Sequence, residues 1–200
     1  MNIPIDFERK IEASFGERGK QWLSMLAARV EYYLMKWQLQ LEGPVDNLSY
    51  NYVLKVRDRE HTPLILKFGM PGADFTNEIL ATKVYKGASF ARLYQYDELD
   101  GVMLLERLEP GYMLSEVESE EQVIHHYIEI WKALRTPVKP SFPSMKSWFD
   151  ELQVYLEKYS KDDSLIPHML VKNAQCYAQE LFETTAGEEL LHGDLHHYNI

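Results

Sequence analysis

The chain has 200 residues, enough for one large domain or two small lobes, and 46% of them are apolar. Its net charge of −10 disfavours a nucleic-acid partner, and no apolar run approaches the roughly 18 residues that a membrane span needs. The single cysteine, Cys176, excludes an intrachain disulfide, and the amino terminus has no signal-peptide pattern, so the composition predicts a cytoplasmic protein. Cys176 lies in a helical pattern and is expected to be a small core residue.

The acidic charge is concentrated in the second half of the chain. From Tyr112 onward there are 15 acidic and 7 basic residues, a net charge of −8, whereas the first 111 residues carry a net charge of −2. An acidic surface of this kind could attract a cationic substrate. It could equally consist of acidic helix faces that keep the protein in solution, and the sequence leaves both interpretations open.

The first half of the chain changes from a helical to a strand pattern. Apolar residues three and four positions apart predict a helix over residues 18–37, and Gly-Pro followed by Asp-Asn predicts a loop over residues 43–47. Residues 50–56 and 63–68 are strand-like on either side of a polar turn, which predicts a β-hairpin.

A second helix and two more strands complete this half. Asp74 or Thr76 is predicted to cap a helix that continues to Tyr85. Residues 91–96 and 102–108 are strand candidates, separated by residues with turn chemistry. The pattern therefore predicts a sheet-rich first half with one helix before it and one within it.

The second half is predicted to be helical. Ser119 and Gln122 form a capping box ahead of an apolar helical pattern. Residues 136–143 contain three prolines and are predicted to be a linker, and two further helices are expected near residues 145–159 and 164–184.

The most informative motif is the run from Leu191 to Ile200, in which Asp194 and Asn199 are separated by four residues. Phosphoryl transfer needs a carboxylate that accepts the proton of the attacking hydroxyl and an amide oxygen that holds a metal ion against the phosphates. Protein kinases place an Asp and an Asn at this same spacing on one loop. The spacing therefore favours a kinase-like catalytic loop.

Two other interpretations of this run remain open at the level of sequence. Its histidines and its aspartate are all metal-ligand types and could form a hydrolytic metal centre, although no H-E-x-x-H spacing accompanies them. These residues are His192, Asp194, His196 and His197. The run could also be a structural loop that contains a hydrogen-bonded histidine.

A lysine within an apolar strand supplies a second piece of kinase chemistry. Strand alternation puts Lys67 on the face opposite Leu66 and Phe68, either as an edge-strand guard or as a functional cation. Glu78, on the following helix, lies where a pairing carboxylate would be expected, although it could simply be exposed. The weakest evidence concerns residues 43–49, which contain a single glycine, although the backbone amides of Asp46 to Ser49 could still form an anion-binding nest.

These motifs, taken together, resemble the aminoglycoside phosphotransferases, and most closely the streptomycin and hydroxyurea phosphotransferase branch. The residues that carry the resemblance extend over nearly the whole chain. They are Phe15-Gly16-Glu17-Arg18-Gly19 with Trp22-Leu23, Leu64-Ile65-Leu66-Lys67, Glu78, Gly87-Ala88, Arg92-Leu93, Leu104-Leu105-Glu106-Arg107-Leu108-Glu109-Pro110-Gly111, Leu191-His192-Gly193-Asp194-Leu195-His196 and Asn199.

The resemblance implies a role for each matching residue. Asp194 would be the catalytic base and Asn199 a magnesium ligand, while Lys67 would bind the ATP phosphates with Glu78 orienting it. The adenine site would be formed by Leu105, which would back the pocket, and by the hinge residues from Glu106 to Leu108, which would offer backbone hydrogen bonds to the base. The implied cofactors are ATP and Mg²⁺.

The resemblance also implies an α+β, protein-kinase-like fold of two lobes. The N-lobe would occupy residues 1–108, with a leading helix, a five-stranded antiparallel sheet and one helix, followed by a hinge at residues 106–111. Residues 112–200 would form a partial helical C-lobe that ends in the catalytic loop. Such enzymes carry a second metal-binding aspartate shortly after this loop, so a sequence that stops at Ile200 is expected to have an incomplete C-lobe.

The expected activity is ATP-dependent phosphorylation of a hydroxyl on a small cationic molecule, with a streptomycin-like aminoglycoside as the first candidate acceptor. A different small-molecule alcohol is the next alternative. An inactive, truncated kinase-like binding protein and a metal hydrolase are the others. No nucleic-acid or membrane partner is expected.

Overall fold

The computed structural model describes residues 3–85, 90–136, 142–160 and 164–200. Within these residues the chain forms five α-helices, a short 3₁₀ helix at Leu114–Glu116 and a five-stranded sheet, which confirms the α+β class. The helices are α1 (Ile5–Lys36), α2 (Ala73–Tyr85), α3 (Glu120–Ala133), α4 (Met145–Lys158) and α5 (His168–Thr184). The strands are β1 (Gln40–Pro44), β2 (Tyr52–Arg57), β3 (Pro63–Phe68), β4 (Leu93–Asp97) and β5 (Val102–Glu106).

All neighbouring strands of the sheet are antiparallel, in the order β1-β2-β3-β5-β4. Every second residue of β2 and β3 is buried, as expected for strands that cover a core on one face. The core of this face combines strand residues with residues of α1. It contains Phe7, Ile11, Trp22, Leu26, Val30, Tyr33, Tyr52, Leu54, Val56, Leu64, Leu66, Phe68, Val102 and Leu104.

The opposite face of the sheet is covered in part by α2. Phe75 and Ile79 of this helix form a second apolar cluster with Met103 of β5, and Leu93 and Leu105 pack against it. The intervening positions of β2 and β3 are only half-buried. The register places the half-buried residues side by side, with Val53 opposite Lys67 and Lys55 opposite Ile65. We call these positions of β2 and β3 the open face.

Helix α1 is longer than the predicted helix over residues 18–37. It starts at Ile5 and is interrupted at Gly16, which has φ 56° and ψ −133° and so lies outside the helical region. Glycine tolerates this positive φ because it has no Cβ. The turn allows the segment before Gly16 to bury Phe7 and Ile11 in the same core as the segment after it.

Three local predictions from the sequence are wrong. Residues Gly43 and Pro44 belong to β1 rather than to a loop; the proline is accommodated at the end of an edge strand. Helix α2 already begins at Ala73, so Asp74 and Thr76 lie in its first turn instead of capping it. Cys176 is exposed on α5 and is not a core residue.

Other local predictions are confirmed. The hairpin of β2 and β3 and both later strands are present. The Ser119 side chain caps α3 by accepting a hydrogen bond from the Gln122 amide.

The predicted linker falls largely on residues 137–141 and the Gly87-Ala88 motif on residues 86–89, which lie outside the described residues. Among the described helices, none is both long and apolar enough to cross a membrane.

The chain forms two compact units. The first comprises Met1–Leu134 together with Gly193–Ile200 and contains the sheet, α1, α2, α3 and the last loop. The second comprises Arg135–His192 and contains α4 and α5. In the second unit Arg135 donates two hydrogen bonds from Nε and Nη2 to the Glu189 carboxylate.

Candidate functional site

Lys67 and Glu78, predicted from sequence as partners, form an ion pair. Lys67 projects from β3 on the open face, and its ammonium donates to Glu78 Oε1 of α2. The two side chains are 18% and 35% exposed. Because Phe75 and Ile79 fix α2 against β5, the helix turn between them presents Glu78 to the strand. The packing of α2 therefore orients a half-buried cation on the sheet.

The predicted adenine-site residues follow along β5 and its continuation. Leu105 is half-buried and packs against the Phe75 and Ile79 cluster. Glu106 ends β5; its N–H donates to the Arg92 carbonyl at 2.8 Å, which removes this amide from the groups that a base could use. Leu108 is 62% exposed, and its backbone N–H and carbonyl have no hydrogen-bond partner in the described part of the chain.

The run that contains Asp194 and Asn199 forms a closed loop. Asn199 Nδ2 donates to the Asp194 carbonyl, while Asn199 Oδ1 accepts from the His196 N–H at 3.0 Å. The Asn199 N–H also donates to the His196 carbonyl at 3.0 Å. The Asn199 side chain thus links the two ends of the turn, and its oxygen retains a second lone pair.

Other parts of the first unit hold this loop in place. The amides of Leu114 and Ser115 donate to the carbonyls of Ile200 and His197, at 2.8 and 3.0 Å. The Tyr127 hydroxyl of α3 donates to the Leu195 carbonyl at 3.3 Å. A mostly apolar groove of about 380 Å³ lies along α3 beside the loop.

The Asp194 carboxylate is 80% exposed and contacts one side chain, that of His196. Asp194 Oδ2 lies 3.5 Å from His196 Nε2. The other ring nitrogen, Nδ1, accepts from the Tyr198 N–H at 3.2 Å. A neutral His196 ring therefore carries its proton on Nε2, towards Asp194. From the sequence, His196 was considered only as a possible metal ligand, because side-chain direction within a turn cannot be deduced from spacing.

The structure assembles the predicted residues in two groups, Lys67 with Glu78 and Asp194 with Asn199, and no hydrogen bond or ion pair joins the groups within the described residues. No three histidine, cysteine, aspartate or glutamate side chains converge on a metal-binding position in the part of the chain that the structure describes. The histidine-rich loop therefore does not assemble as the alternative metal-ligand cluster. The amides of residues 46–49, the candidate anion nest, have no partners among the described residues.

A charged cluster at the hinge end of the sheet was not predicted. Glu42 of β1 pairs with both Arg107, which follows β5, and Arg57 of β2. These hydrogen bonds, first from Arg107 and then from Arg57, lower the pKa of the Glu42 carboxyl. Arg107 also lies 3.1 Å from Glu109. The cluster ties the edge strand to the predicted hinge, a contact between residues far apart in sequence.

Comparisons with known proteins place the chain in a family. The model of the aminoglycoside/hydroxyurea antibiotic resistance kinase family matches residues 36–200. Streptomycin 6-kinases of Streptomyces griseus and Streptomyces glaucescens are each 26% identical to the chain over its whole length. A hydroxyurea phosphotransferase of Kitasatospora aureofaciens is 32% identical over 100 residues, 50% of this chain and 29% of that protein.

The chain spans 66% of the length of each of the two streptomycin 6-kinases. The family match nevertheless includes both groups of candidate site residues, from β3 to the last loop. The resemblance to the streptomycin and hydroxyurea branch is confirmed. The chain belongs to the aminoglycoside/hydroxyurea antibiotic resistance kinase family.

Proposed function

We propose that the chain is the nucleotide-binding and catalytic-loop portion of an ATP-dependent phosphotransferase that modifies a hydroxyl of a small cationic molecule. The observation that carries this proposal is the ion pair between Lys67 on β3 and Glu78 on α2, in a chain of this kinase family. A lysine held by a carboxylate on a sheet face is the arrangement that kinases use to bind nucleotide phosphates.

In this proposal Asp194 is the catalytic base. Its exposed carboxylate accepts the proton of the acceptor hydroxyl as the oxygen bonds to the γ-phosphorus and the bond from phosphorus to ADP breaks. Lys67 donates hydrogen bonds to the phosphate oxygens, and Glu78 keeps its ammonium in position. Leu105 lines the adenine pocket, and the backbone N–H and carbonyl of Leu108, which have no partner among the described residues, are available to the base.

The Asn199 side chain has the chemistry of a magnesium ligand. Mg²⁺ prefers oxygen ligands, and Asn199 Oδ1 uses one lone pair for the His196 amide and keeps the other. The residues present therefore fit the ion, which would neutralise charge on the phosphates when bound. The hydrogen bond from Asn199 Nδ2 to the Asp194 carbonyl fixes the distance between the proposed magnesium ligand, Asn199, and the proposed base, Asp194.

The proposed acceptor is an aminoglycoside such as streptomycin. Two relatives that match the whole chain are streptomycin 6-kinases, and residues 112–200 carry a net charge of −8 that would attract a cation. Another small-molecule alcohol is the second candidate, favoured by the 32% identity to a hydroxyurea phosphotransferase over half of the chain. An inactive kinase-like binding protein is the third candidate.

The proposed architecture is a two-lobed kinase-like fold. Residues 1–108 would form the N-lobe with the five-stranded sheet, residues 106–111 the hinge and residues 112–200 part of a helical C-lobe. The position of the Glu42 and Arg107 pair, at the end of the sheet where the hinge would begin, supports this division. We further propose a cytoplasmic protein that acts on a small molecule, without a nucleic-acid or membrane partner.

Thermal unfolding with and without Mg-ATP tests the nucleotide site. At a concentration of one hundred times its dissociation constant, a ligand adds about 2.7 kcal/mol to the free energy of unfolding, which raises the midpoint measurably. We expect Mg-ATP to stabilise the chain and Lys67→Ala to abolish the shift. A folded chain whose midpoint is unchanged by Mg-ATP would contradict the proposal.

Transfer to the acceptor is tested with ATP labelled at its γ-phosphate, with streptomycin as the acceptor. If Asp194 is the base, Asp194→Asn lowers the rate by roughly 100-fold or more, while Asp150→Asn on the α4 surface leaves it unchanged. Equal rates for the two variants would remove Asp194 from the mechanism. Nucleotide binding without transfer to any acceptor would favour the inactive binding protein.

A further inference from the structure

The open face of the sheet carries a second lysine, Lys55 of β2. Lys55 of β2 lies directly opposite Ile65 of β3, and Val53 lies opposite Lys67. Lys55 and Lys67 are therefore diagonal neighbours on one face, with Cα atoms about 7–8 Å apart. The segment Val53-Leu54-Lys55 repeats the pattern of Ile65-Leu66-Lys67: an apolar residue and a lysine on the open face flank a leucine in the core.

Lys55 is not explained by the usual structural roles of a strand lysine. Strand β2 lies between β1 and β3, so Lys55 does not guard a sheet edge. It is half-buried, yet its ammonium has neither a hydrogen-bond nor an ion-pair partner among the described residues. Helix α2 covers the part of this face over Met103 and Leu105. A half-buried lysine without an acid partner in the described part of the chain is free to pair with an anionic ligand.

The balance of charge on the open face identifies the chemistry that would satisfy Lys55. The charge of Lys67 is offset by Glu78, so this pair brings no net positive charge to a ligand. Arg57 and Arg107 share Glu42, and Arg107 also contacts Glu109, so this cluster is close to neutral. Lys55 then supplies the unpaired positive charge of the face, which would attract a polyanion.

We propose that Lys55 is a second cation for the phosphate chain of the nucleotide, acting beside Lys67. This inference rests on the proposed nucleotide site and adds to it a residue that determines affinity. Lysine provides three donors on a flexible four-carbon stem, so ammonium groups on diagonal neighbours can reach different oxygens of one triphosphate. The apolar residues Val53 and Ile65 lie between the two lysines on this face, where lysine stems can pack.

Calorimetric binding of Mg-ATP, Mg-ADP and adenosine to the chain tests the proposal. Lys55→Met retains the apolar stem and removes the charge. We expect the affinity for Mg-ATP to fall roughly tenfold or more, the affinity for Mg-ADP to fall less and the affinity for adenosine to be unchanged. Lys55→Arg, which keeps the charge, should retain most of the affinity for Mg-ATP.

Lys83→Met provides a matched control. Lys83 is also half-buried, but it lies on α2 with its ammonium 3.7 Å from the centre of the Tyr96 ring. This variant should bind all three ligands as the wild type does. Ligand-free melting of each variant, measured in the same experiment, shows whether it is folded. If Lys55→Met does not fold, Lys55→Gln is measured in its place with the same expectations.

The outcomes separate the two proposals. If the wild type binds Mg-ATP and Lys55→Met binds it equally well, Lys55 only covers apolar surface and the present inference is wrong, while the nucleotide site stands. If Lys55→Met loses affinity for adenosine as much as for Mg-ATP, the lysine acts on the nucleoside and the assignment to the phosphates is wrong. If the wild type binds neither nucleotide, the proposed function itself fails and this inference fails with it.

Discussion

Tyr33 and Tyr52 differ in whether the buried hydroxyl has a hydrogen-bond partner. This difference decides the expected effect of replacing each tyrosine with phenylalanine. Both are 0% exposed. The Tyr33 hydroxyl donates to Asp100 at 2.8 Å, whereas the Tyr52 hydroxyl has no partner among the described residues, and burial raises the pKa of Tyr52. We expect Tyr52→Phe to change the free energy of unfolding by between zero and about +2 kcal/mol, since an unsatisfied group is removed.

The same substitution at position 33 is the control. Tyr33→Phe should lower the free energy of unfolding by about 1.5–3 kcal/mol, because it breaks a hydrogen bond to a carboxylate. Both values come from urea unfolding curves at neutral pH. A loss of more than about 1 kcal/mol in Tyr52→Phe would mean that a buried water satisfies the hydroxyl.

His196 gives a prediction that does not depend on catalysis. Because its Nδ1 accepts the Tyr198 amide, the neutral ring should carry its proton on Nε2, facing Asp194. Long-range proton–nitrogen NMR spectra at pH 8 distinguish the two tautomers. The same spectrum of Asp194→Asn should show a changed Nε2 resonance. A proton on Nδ1 in the wild type would show that the loop is closed differently in solution.

At the scale of the element, the interaction between α1 and the turn after β4 should make stability depend on pH. The Tyr33 hydroxyl, and to a smaller extent the Lys36 ammonium 3.2 Å away, lower the pKa of Asp97. A carboxyl whose folded pKa is depressed stabilises the fold above its unfolded pKa, roughly 3.9, and loses this contribution as the pH falls through the folded pKa.

Asp97→Asn should therefore be less stable than the wild type at pH 7, and the difference should shrink below about pH 4. Urea unfolding at several pH values between 7 and 3 measures it. Glu118→Gln, at a carboxylate without a partner in the described part of the chain, should match the wild type at pH 7. A difference between wild type and Asp97→Asn that stays constant down to pH 3 would show that Asp97 acts through something other than its charge.

Elements whose apolar residues recur with a clear helical or strand period were predicted well. Elements that depend on contacts with residues distant in sequence were not. The hairpin of β2 and β3 follows from alternation, and Lys67 stood out because a charge interrupts an apolar strand. The resemblance implied five strands, and the sheet has five, but the position of β1 was not predicted because Gly43 and Pro44 resemble a loop and only pairing with β2 makes them a strand. The helical segment before Gly16 was missed because its apolar residues become a face only when the turn folds them onto the sheet.

The same distinction applies to the site. The spacing of Asp194 and Asn199 identified the loop, because both side chains act within five residues of chain. The role of Glu42 could not be predicted from the sequence, because its partners Arg57 and Arg107 are far away along the chain. Cys176 was expected in the core because helical periodicity marks an apolar face without saying whether another element covers it.

At the scale of the whole molecule, burial differs sharply between the two units. In Arg135–His192 the buried apolar side chains among the described residues are Val171, Ala178 and Leu190, and α4 contributes none. The first unit buries the large core of α1 and the sheet. Regions with little buried apolar surface open at lower free energy than the core. We therefore expect the amides of α4 and α5 to exchange hydrogen well before those of β2 and β3.

Val171→Ala sharpens this prediction, because a smaller side chain at a buried position of α5 leaves a cavity. Hydrogen exchange followed by mass spectrometry should show faster exchange in α4 and α5 and unchanged exchange in β2 and β3. Val56→Ala, in the core of the first unit, should accelerate exchange in the sheet. If Val171→Ala lowered protection equally throughout the chain, the two units would unfold as one cooperative structure, and the proposed catalytic loop would share its stability with α4 and α5.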